Sequence, residues 1–415
     1  MTVARSGRPS LALLALGMVL TLATWFSAAA ARPGLRAELG LSPADERWSI
    51  AVVQLAFAIG AATAALAGVT DRVGSRRLAV VGALLAAAAN AAPLVAPSAP
   101  VLLGSRAAVG GALALVYPSL LHVAAGVPSG ERGRVLGAMI GALTVGSALP
   151  HLVDGLGGTS WRSLLATTSL AAVAGAVAIL AGTRGAAPVA RAPRLTAASV
   201  LAVVRSRPLR LTCAGYVGHV WELYAGWAAV GPLLAAAWGA GRTASLVSFV
   251  AVAVGGVAAA AWGRLGDRLG RRRAAMAAMC ASATLVAVLG LVTTSPLVLT
   301  LVALAWGCAV IADGGHFPAL VADHAEPDHV GAALSLQLAA GFTATAVATW
   351  LVPFVQLHAG WGWAMAVLAP GPLLGALALA RLGRAAPAGG AVVPPIRSAP
   401  ATAPAPSLVA AASPT

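Results

Sequence analysis

Two Gly- and Arg-rich stretches decide the fold of this chain. GVTDRVGSRR occupies residues 68–77, and GRLGDRLGRRR occupies residues 263–273. Asp71, Gly74 and Arg77 of the first stretch align with Asp267, Gly270 and Arg273 of the second at one offset of 196 residues. Each stretch directly follows a long apolar run. The match therefore indicates a duplicated unit in which the same short loop joins two apolar helices.

Other residues extend this repeat along the chain. Pro118 and Trp161 recur as Pro318 and Trp361 at an offset of 200 residues, and Trp25 recurs as Trp221 at an offset of 196. Repeats of this kind in membrane proteins place a solute site near the bilayer midplane between two halves that rock around it.

The repeat divides the chain into four parts. We predict an N-terminal six-helix bundle, a cytoplasmic linker, a C-terminal six-helix bundle and a disordered tail rich in Pro and Ala, at residues 1–183, 184–208, 209–382 and 383–415. The linker contains a segment near 195–204 that is expected to form a short surface helix.

Composition places both halves in a membrane. Of 415 residues, 59% are hydrophobic and only 9% are charged, against roughly 25% charged in soluble proteins. A spanning helix needs about 20 apolar residues, and backbone groups in lipid must bond within their own helix. Twelve runs qualify, here called spans 1 to 12: about 11–31, 48–68, 78–97, 101–125, 134–154, 162–182, 209–236, 244–263, 274–294, 297–322, 330–355 and 361–382. We predict an all-α polytopic membrane protein of two pseudo-symmetric bundles.

The basic residues define topology and do not indicate nucleic-acid binding. The net charge is +15, the chain contains no Lys, and the 27 Arg gather at the ends of the spans. If the N-terminus is inside, 21 Arg face the cytoplasm and six face outward. The positive-inside rule then predicts a multi-pass protein of the cell membrane with both termini cytoplasmic. We expect no cofactor and no metal, because each of the three Cys stands alone in an apolar segment.

The doubled loop resembles the signature loop of the major facilitator superfamily. A second signature is partly present as Arg106-Ala-Ala-Val-Gly110, in which Val109 departs from the usual Gln. The resemblance covers about 11–382, and it implies a fold that commonly works as a monomer. It implies that spans 1, 4, 7 and 10 line a central cavity, with spans 2, 5, 8 and 11 beside them.

The resemblance also implies that the loop Asp holds the halves together on the cytoplasmic side while the cavity faces outward. The predicted gating residues are Gly68, Asp71, Arg72, Gly74, Arg76, Arg77, Gly263, Asp267, Arg268, Gly270, Arg272 and Arg273. The alternative is a basic loop that only fixes topology.

Ionisable residues inside spans are rare and mark function by default. Three His–acid pairs lie three residues apart on candidate lining helices, so each pair shares a helix face. They are His151/Asp154 in span 5, His219/Glu222 in span 7 and Asp313/His316 in span 10.

The two pairs of the second half are predicted to form a proton-coupling site near the midplane. Burial disfavours the charged form of a carboxylic acid and of an imidazole, so both groups can exchange protons near neutrality. The repeat counterparts of His219, Glu222, Asp313 and His316 are all apolar: Ala23, Phe26, Leu113 and Val116. Bonding between helices and contact with the solute alone are the alternatives.

A second set is predicted to line the solute cavity. It comprises Trp25, Gln54, Arg106, Tyr117, His151, Asp154, Trp221 and Gln337. Arg106 and Asp154 are expected to form an ion pair near the outer ends of spans 4 and 5. The alternatives for Arg106 are bonds to backbone carbonyls alone or to an anionic solute. Ordinary packing is the alternative for the aromatic residues.

These features predict a secondary transporter that moves a small solute by alternating access, with protons as the coupling ion. Multidrug or metabolite efflux is the alternative, because Gly137, Gly141, Gly146 and Pro150 partly resemble the span 5 signature of drug–proton antiporters. A non-transporting sensor is a remote third reading. The sequence holds no nucleophile–base set, metal cluster or phosphate loop, so we expect no enzyme. Three embedded acids against one embedded Arg favour a neutral or cationic solute.

Overall fold

The structure is a computed structural model that describes residues 9–127, 129–157, 160–184, 196–326 and 329–383. Within these ranges the side chains of residues 71, 129, 130, 132, 133, 260 and 267 are not described. Part of the predicted linker, at 185–195, and nearly all of the predicted tail, at 384–415, lie outside the described residues.

The described chain is built from α-helices. Those of the first half are α1 Leu11–Leu22, α2 Ser27–Ala30, α3 Arg32–Leu39, α4 Pro43–Leu66, α5 Val69–Val73, α6 Ser75–Val95, α7 Ala99–Ala125, α8 Ser129–Gly157 and α9 Trp161–Gly182. Those that follow are α10 Ala197–Arg205, α11 Arg207–Trp238, α12 Arg242–Leu269, α13 Arg271–Leu291, α14 Pro296–Val310, α15 His316–His324, α16 Val330–Ala366 and α17 Pro370–Leu382. The predicted linker helix is present as α10.

The spans agree with the twelve predicted from the sequence. Nine helices of the described part are long and apolar enough to cross a membrane, and two shorter apolar helices are Leu11–Leu22 and Pro296–Val310. The last of the nine is α16 with α17, and it contains Gly360 in a non-helical conformation with φ 79° and ψ 178°. The 37 residues of α16 would measure ~55 Å as one helix, well beyond ~30 Å of hydrocarbon. Spans 11 and 12 therefore meet at Gly360.

Three spans that were predicted to be continuous are broken. Span 1 is interrupted at residues 23–26, span 10 at 311–315 and span 12 at 367–369. The break in span 10 contains Gly314 and Gly315, which are weak helix formers. The break in span 12 precedes Pro370, whose ring disfavours helical geometry in the residue before it.

Hydroxyl side chains stabilise the break in span 1. Thr24 Oγ1 donates to the carbonyl of Thr21 at 2.9 Å, and Ser27 Oγ donates to the carbonyl of Thr24 at 3.0 Å. Such local bonds offer the backbone an alternative to the helical ladder. The carbonyls released by the break become available to other helices.

The halves meet along two pairs of helices. Between α8 and α12, a Cβ at Gly141 would lie 3.1 Å from the carbonyl oxygen of Gly256, so the backbones approach closely there. Between α4 and α16, the rings of Phe57 and Phe342 have centroids 4.2 Å apart. Below, the end of the bundle that carries residues 68–77 and 263–273 is called the loop end, and the end that carries α3 is called the opposite end.

Candidate functional site

A cluster of aromatic rings fills the space between the halves. It consists of Trp25 and Phe26 from span 1, Phe57 from span 2, Tyr224 and Trp227 from span 7, and Phe342 from span 11, and all six are buried. Trp25 of the first half stacks on Tyr224 of the second half with centroids 5.4 Å apart and planes 11° apart. We call these six residues the aromatic cluster.

Several polar atoms are buried at the aromatic cluster without a hydrogen-bond partner among the described residues. They are the indole Nε1 of Trp25, the indole Nε1 of Trp227, and both amide atoms of Gln54. Gln54 lies three residues before Phe57 on α4, hence on the same helix face. A buried polar group without a hydrogen-bond partner lowers the stability of the protein by about 1–3 kcal/mol. Packing alone therefore does not account for these unpaired atoms.

The predicted cavity residues Trp25, Gln54 and Tyr117 therefore lie at or beside the cluster. Tyr117 is half-buried, and its ring centroid is 6.4 Å from that of Phe57.

The predicted pairing within one helix is replaced by a pair between helices. His219 Nδ1 on α11 lies 2.7 Å from Asp313 Oδ1, which is in the break of span 10. Both side chains are buried. The two atoms are close enough for an ion pair but lack the directionality of a hydrogen bond. The break makes this approach possible, because a Cβ at Gly314 would lie only 3.2 Å from His219 Nε2.

Glu222 lies within electrostatic range of Asp313 but forms its hydrogen bonds with other helices. Its Oε1 accepts a hydrogen bond from Trp306 Nε1 at 2.7 Å, and its Oε2 accepts one from Ser282 Oγ at 2.9 Å. Its side chain is 1% exposed. Glu222 thus links span 7 to spans 9 and 10 and forms a second buried acidic site.

The imidazole of His316 packs against the backbone of α12 near the loop end, since a Cβ at Gly266 would lie 2.3 Å from its Cε1. Of the four predicted residues, His219 and Asp313 are in direct contact. The proton-coupling role of the four residues stays a prediction.

Arg106 was expected to pair with Asp154, but it bonds other partners. Its Nη2 donates to the carbonyls of Thr24 and Trp25 at 2.8 and 2.6 Å, and its Nη1 donates to Asn90 Oδ1 at 3.0 Å. These carbonyls are the ones that the break in span 1 releases. The guanidinium thus bonds backbone carbonyls, as one alternative predicted, but it also bonds the side chains of Asn90 and Ser27.

Asp154 and His151 contact the other half of the protein. Asp154 accepts a hydrogen bond from Ser245 Oγ on α12. His151 is buried against α11, where a Cβ at Gly231 would lie 2.7 Å from its Cε1. Both residues of this predicted pair therefore belong to the contact between span 5 and spans 7 and 8.

Two further predicted cavity residues lie elsewhere. Trp221 contacts span 12, where its Nε1 donates to the carbonyl of Val367 at 3.1 Å, and its role in the cavity stays a prediction. That carbonyl belongs to the break in span 12. Gln337 is buried on α16, and its Nε2 has no partner among the described residues.

The two gating loops share part of their backbone geometry. Gly74 and Gly270 both have φ 85° and immediately precede a helix. The loops differ at their first Gly, since Gly68 has φ 60° and starts α5, whereas Gly263 lies inside α12.

The described Arg side chains of these loops lie at or near the surface. Arg72, Arg76, Arg77, Arg268 and Arg273 are exposed. Arg272 approaches the carbonyl of Leu379 at 3.4 Å. The side chains of Asp71 and Asp267 lie outside the described residues, so the latch stays a prediction.

At the opposite end, Arg47 joins the halves. Its guanidinium carbon lies 5.1 Å from the ring centroid of Trp350 and 5.6 Å from that of Phe354, both on span 11. A cation over an aromatic face contributes about 0.5–2 kcal/mol. This contact was not predicted from the sequence.

Helix α3 is fixed to span 6 at the same end. Glu38 accepts hydrogen bonds from Arg162 and from Trp161 Nε1. These two donors, Arg162 first, lower the pKa of the Glu38 carboxyl from its ordinary value.

Phe57, Tyr224, Trp227, Phe342, Ser282 and Trp306 were not identified as site residues from the sequence. A signal was present for the rings, because the chain has only six Phe and three Tyr. An aromatic residue other than Trp is therefore rare here. Ser282 carried no signal, because Ser occurs in many spans.

The fold and the site together define a polytopic membrane protein whose two related halves enclose a buried polar and aromatic centre. A family model described as the Major Facilitator Superfamily matches residues 14–230 and 212–410. The chain therefore belongs to the major facilitator superfamily.

The proteins to which this chain is similar include an efflux pump and a sugar transporter. The Multidrug efflux pump LfrA of Mycolicibacterium smegmatis is 33% identical over 148 residues, which is 35% of this chain and 29% of that protein. The chain thus matches less than a third of that relative. The structure of the xylose transporter XylE from E. coli, in a partially occluded inward open conformation, superposes with a TM-score of 0.67 at 14% identity. The match covers 90% of this chain and 96% of that one, and it shows the shared fold.

Proposed function

We propose that the protein is a secondary active transporter that moves a small solute by alternating access and draws on a proton gradient. The observation that carries the proposal is the His219–Asp313 pair, which lies 2.7 Å apart in the break of span 10. Intramembrane acids facing an imidazole are the usual parts of a proton relay.

The surroundings of the pair support this role. No Arg or Lys side chain forms a salt bridge with Asp313 among the described residues. An acid without a permanent cation is costly to keep charged inside a membrane, so a proton can neutralise it. The imidazole beside it can accept or return that proton.

The pair is also connected to the centre of the protein. Tyr216 has its ring centroid 6.1 Å from that of His219. A Cβ at Gly341 would lie 2.4 Å from Tyr216 Cε1, and Gly341 adjoins Phe342 of the aromatic cluster. The ring of Tyr216 therefore lies between the pair and the part of α16 that carries Phe342.

We further propose that the loop end faces the cytoplasm, which places both termini there in the cell membrane. The exposed Arg residues of both loops support this orientation, because short basic loops stay on the inner side. Small solutes, protons and lipid are then the partners of the chain.

The test uses the whole protein in proteoliposomes. A thermal-shift screen of the detergent-purified protein at two pH values first identifies a stabilising solute. Its uptake is then measured with and without an imposed pH gradient. We expect accumulation in the presence of the gradient and only equilibration without it. Identical uptake under both conditions would contradict the proposal that transport is coupled to protons.

Multidrug efflux is the second candidate function. It is favoured by the similarity to a multidrug efflux pump over 148 residues. Efflux predicts that dyes and drugs of unrelated structure compete for transport, whereas a dedicated transporter should accept one narrow class. A non-transporting sensor would give no flux with any solute that binds.

A further inference from the structure

We propose that the solute is a flat, uncharged molecule with an amide-like edge, and that it binds between Trp25 and Tyr224 with this edge on Gln54. The proposal rests on the proposed transport function and adds the chemical class of the solute.

The flat shape follows from the arrangement of the rings. Trp25 and Tyr224 are nearly parallel, with planes 11° apart and centroids 5.4 Å apart, and they belong to different halves. Phe26 is also nearly parallel to Tyr224, at 16° and 6.4 Å. When the halves rock apart, these rings separate as two parallel walls. A planar ring system fills such a slot and stacks on both sides.

The amide-like edge follows from Gln54. Its side chain is 0% exposed, and neither Oε1 nor Nε2 has a partner among the described residues. A carboxamide offers one acceptor and two donors side by side, which pair with an adjacent donor and acceptor on a flat molecule, as Gln pairs with the edge of adenine. The indole N–H groups of Trp25 and Trp227 supply two further donors.

The absence of a net charge follows from the charged groups around the cluster. The guanidinium of Arg106 is occupied by the carbonyls of Thr24 and Trp25. Asp313 is matched by His219 at 2.7 Å. A charged solute would need one of these groups to abandon its partner, and leaving a buried charge unpaired is strongly unfavourable. An uncharged solute leaves both arrangements intact.

The test is a binding titration of the full-length protein in detergent with four probes of one size. These are 2-naphthamide (flat and neutral), 2-naphthamidine (flat and cationic), 2-naphthoate (flat and anionic) and decahydro-2-naphthamide (neutral but not flat). We expect 2-naphthamide to bind at least tenfold more tightly than each of the others. Tighter binding of the cation or the anion, or binding of none of the four, would overturn the proposal.

A substitution separates the role of Gln54 from its packing. Gln54→Leu removes two orphaned polar atoms from a buried site, so thermal stability should equal or exceed that of the wild type. The affinity for 2-naphthamide should nevertheless fall at least tenfold. Gln356→Leu, on the opposite-end part of span 11, is the matched control and should bind as the wild type does. An unchanged affinity in Gln54→Leu would refute the assigned edge.

Because binding is measured in detergent without a gradient, its outcome is independent of transport. Selective binding of 2-naphthamide without gradient-driven uptake would contradict the proposed function and leave the solute class standing. Gradient-driven uptake of a charged or non-planar solute would support the proposed transport function and contradict the proposed solute class.

Discussion

Replacing Asp313 by Asn is expected to uncouple transport from the proton gradient. The substitution keeps the shape of the side chain in the break of span 10 but removes the acid that lies 2.7 Å from His219 Nδ1. The pair can then no longer take up and release a proton together. The solute should still bind, because the aromatic cluster and Gln54 are unchanged.

The size of the effect follows from the movement of one proton per solute. A single proton moved per solute across one pH unit supplies about 1.4 kcal/mol, which corresponds to a tenfold accumulation. The Asp313→Asn variant should therefore fall from about tenfold accumulation to about onefold. Its stability should decline by only about 1–3 kcal/mol, because the amide remains a polar neighbour for the imidazole. Complete loss of a buried partner would cost about 3–5 kcal/mol.

The assay compares net accumulation with counterflow in proteoliposomes. We expect Asp313→Asn to retain counterflow exchange, which needs no proton, and to lose accumulation under a pH gradient. Glu38→Gln is the control, because it removes an acid near Arg162 at the surface of the opposite end and should accumulate solute like the wild type. If Asp313→Asn still accumulates solute tenfold, the pair does not carry the coupling proton.

Three further predictions test other parts of the structure. Glu222→Gln should also abolish accumulation under a pH gradient. Expression and folding should be preserved, because a Gln oxygen can still accept a hydrogen bond from the indole of Trp306. Accumulation at the wild-type level would exclude this second acid from proton coupling. Arg47→Gln should raise amide hydrogen exchange at the opposite end of span 11 by about 2- to 30-fold, since a contact of ~0.5–2 kcal/mol is lost; unchanged exchange would show that Arg47 does not hold the halves together. Gly307→Ala should lower the free energy of unfolding by about 1–3 kcal/mol, because its Cβ would lie 1.8 Å from the carbonyl oxygen of Ala251. Gly104→Ala is the control, since its Cβ would meet nothing within 4 Å, and it should unfold as the wild type does.

The spans could be predicted from the sequence because each is set by a local property, a run of apolar residues ended by Arg, Gly or Pro. The repeated loop added the relation between the halves. Gly74 and Gly270 show the same backbone angle, as their matched positions suggest. The breaks in three spans could not be predicted, because hydropathy is equally high in a helix and in an apolar turn.

The site was predicted less well for a different reason. Residue type and depth identified Asp313 and His219 as candidates, and the structure brings them together. However, the partners of a side chain depend on the direction in which it points around the helix axis. Glu222 lies only three residues from His219, yet its carboxylate is bonded to Trp306 and Ser282. The partners of Arg106 were missed because the break in span 1 that frees its carbonyls was itself not foreseen.

The bonds of Arg106 to span 1 bear on how the protein is made. Arg106 follows Trp25 by 81 residues, and at about 5–20 residues per second the ribosome needs roughly 4–16 s to add that stretch. Throughout this interval the nascent chain holds an apolar segment whose interrupted backbone lacks its guanidinium partner. Spans 2 and 3 are both synthesised before that partner emerges. The bonds between the first segment and Arg106 therefore form only after the fourth segment has been synthesised.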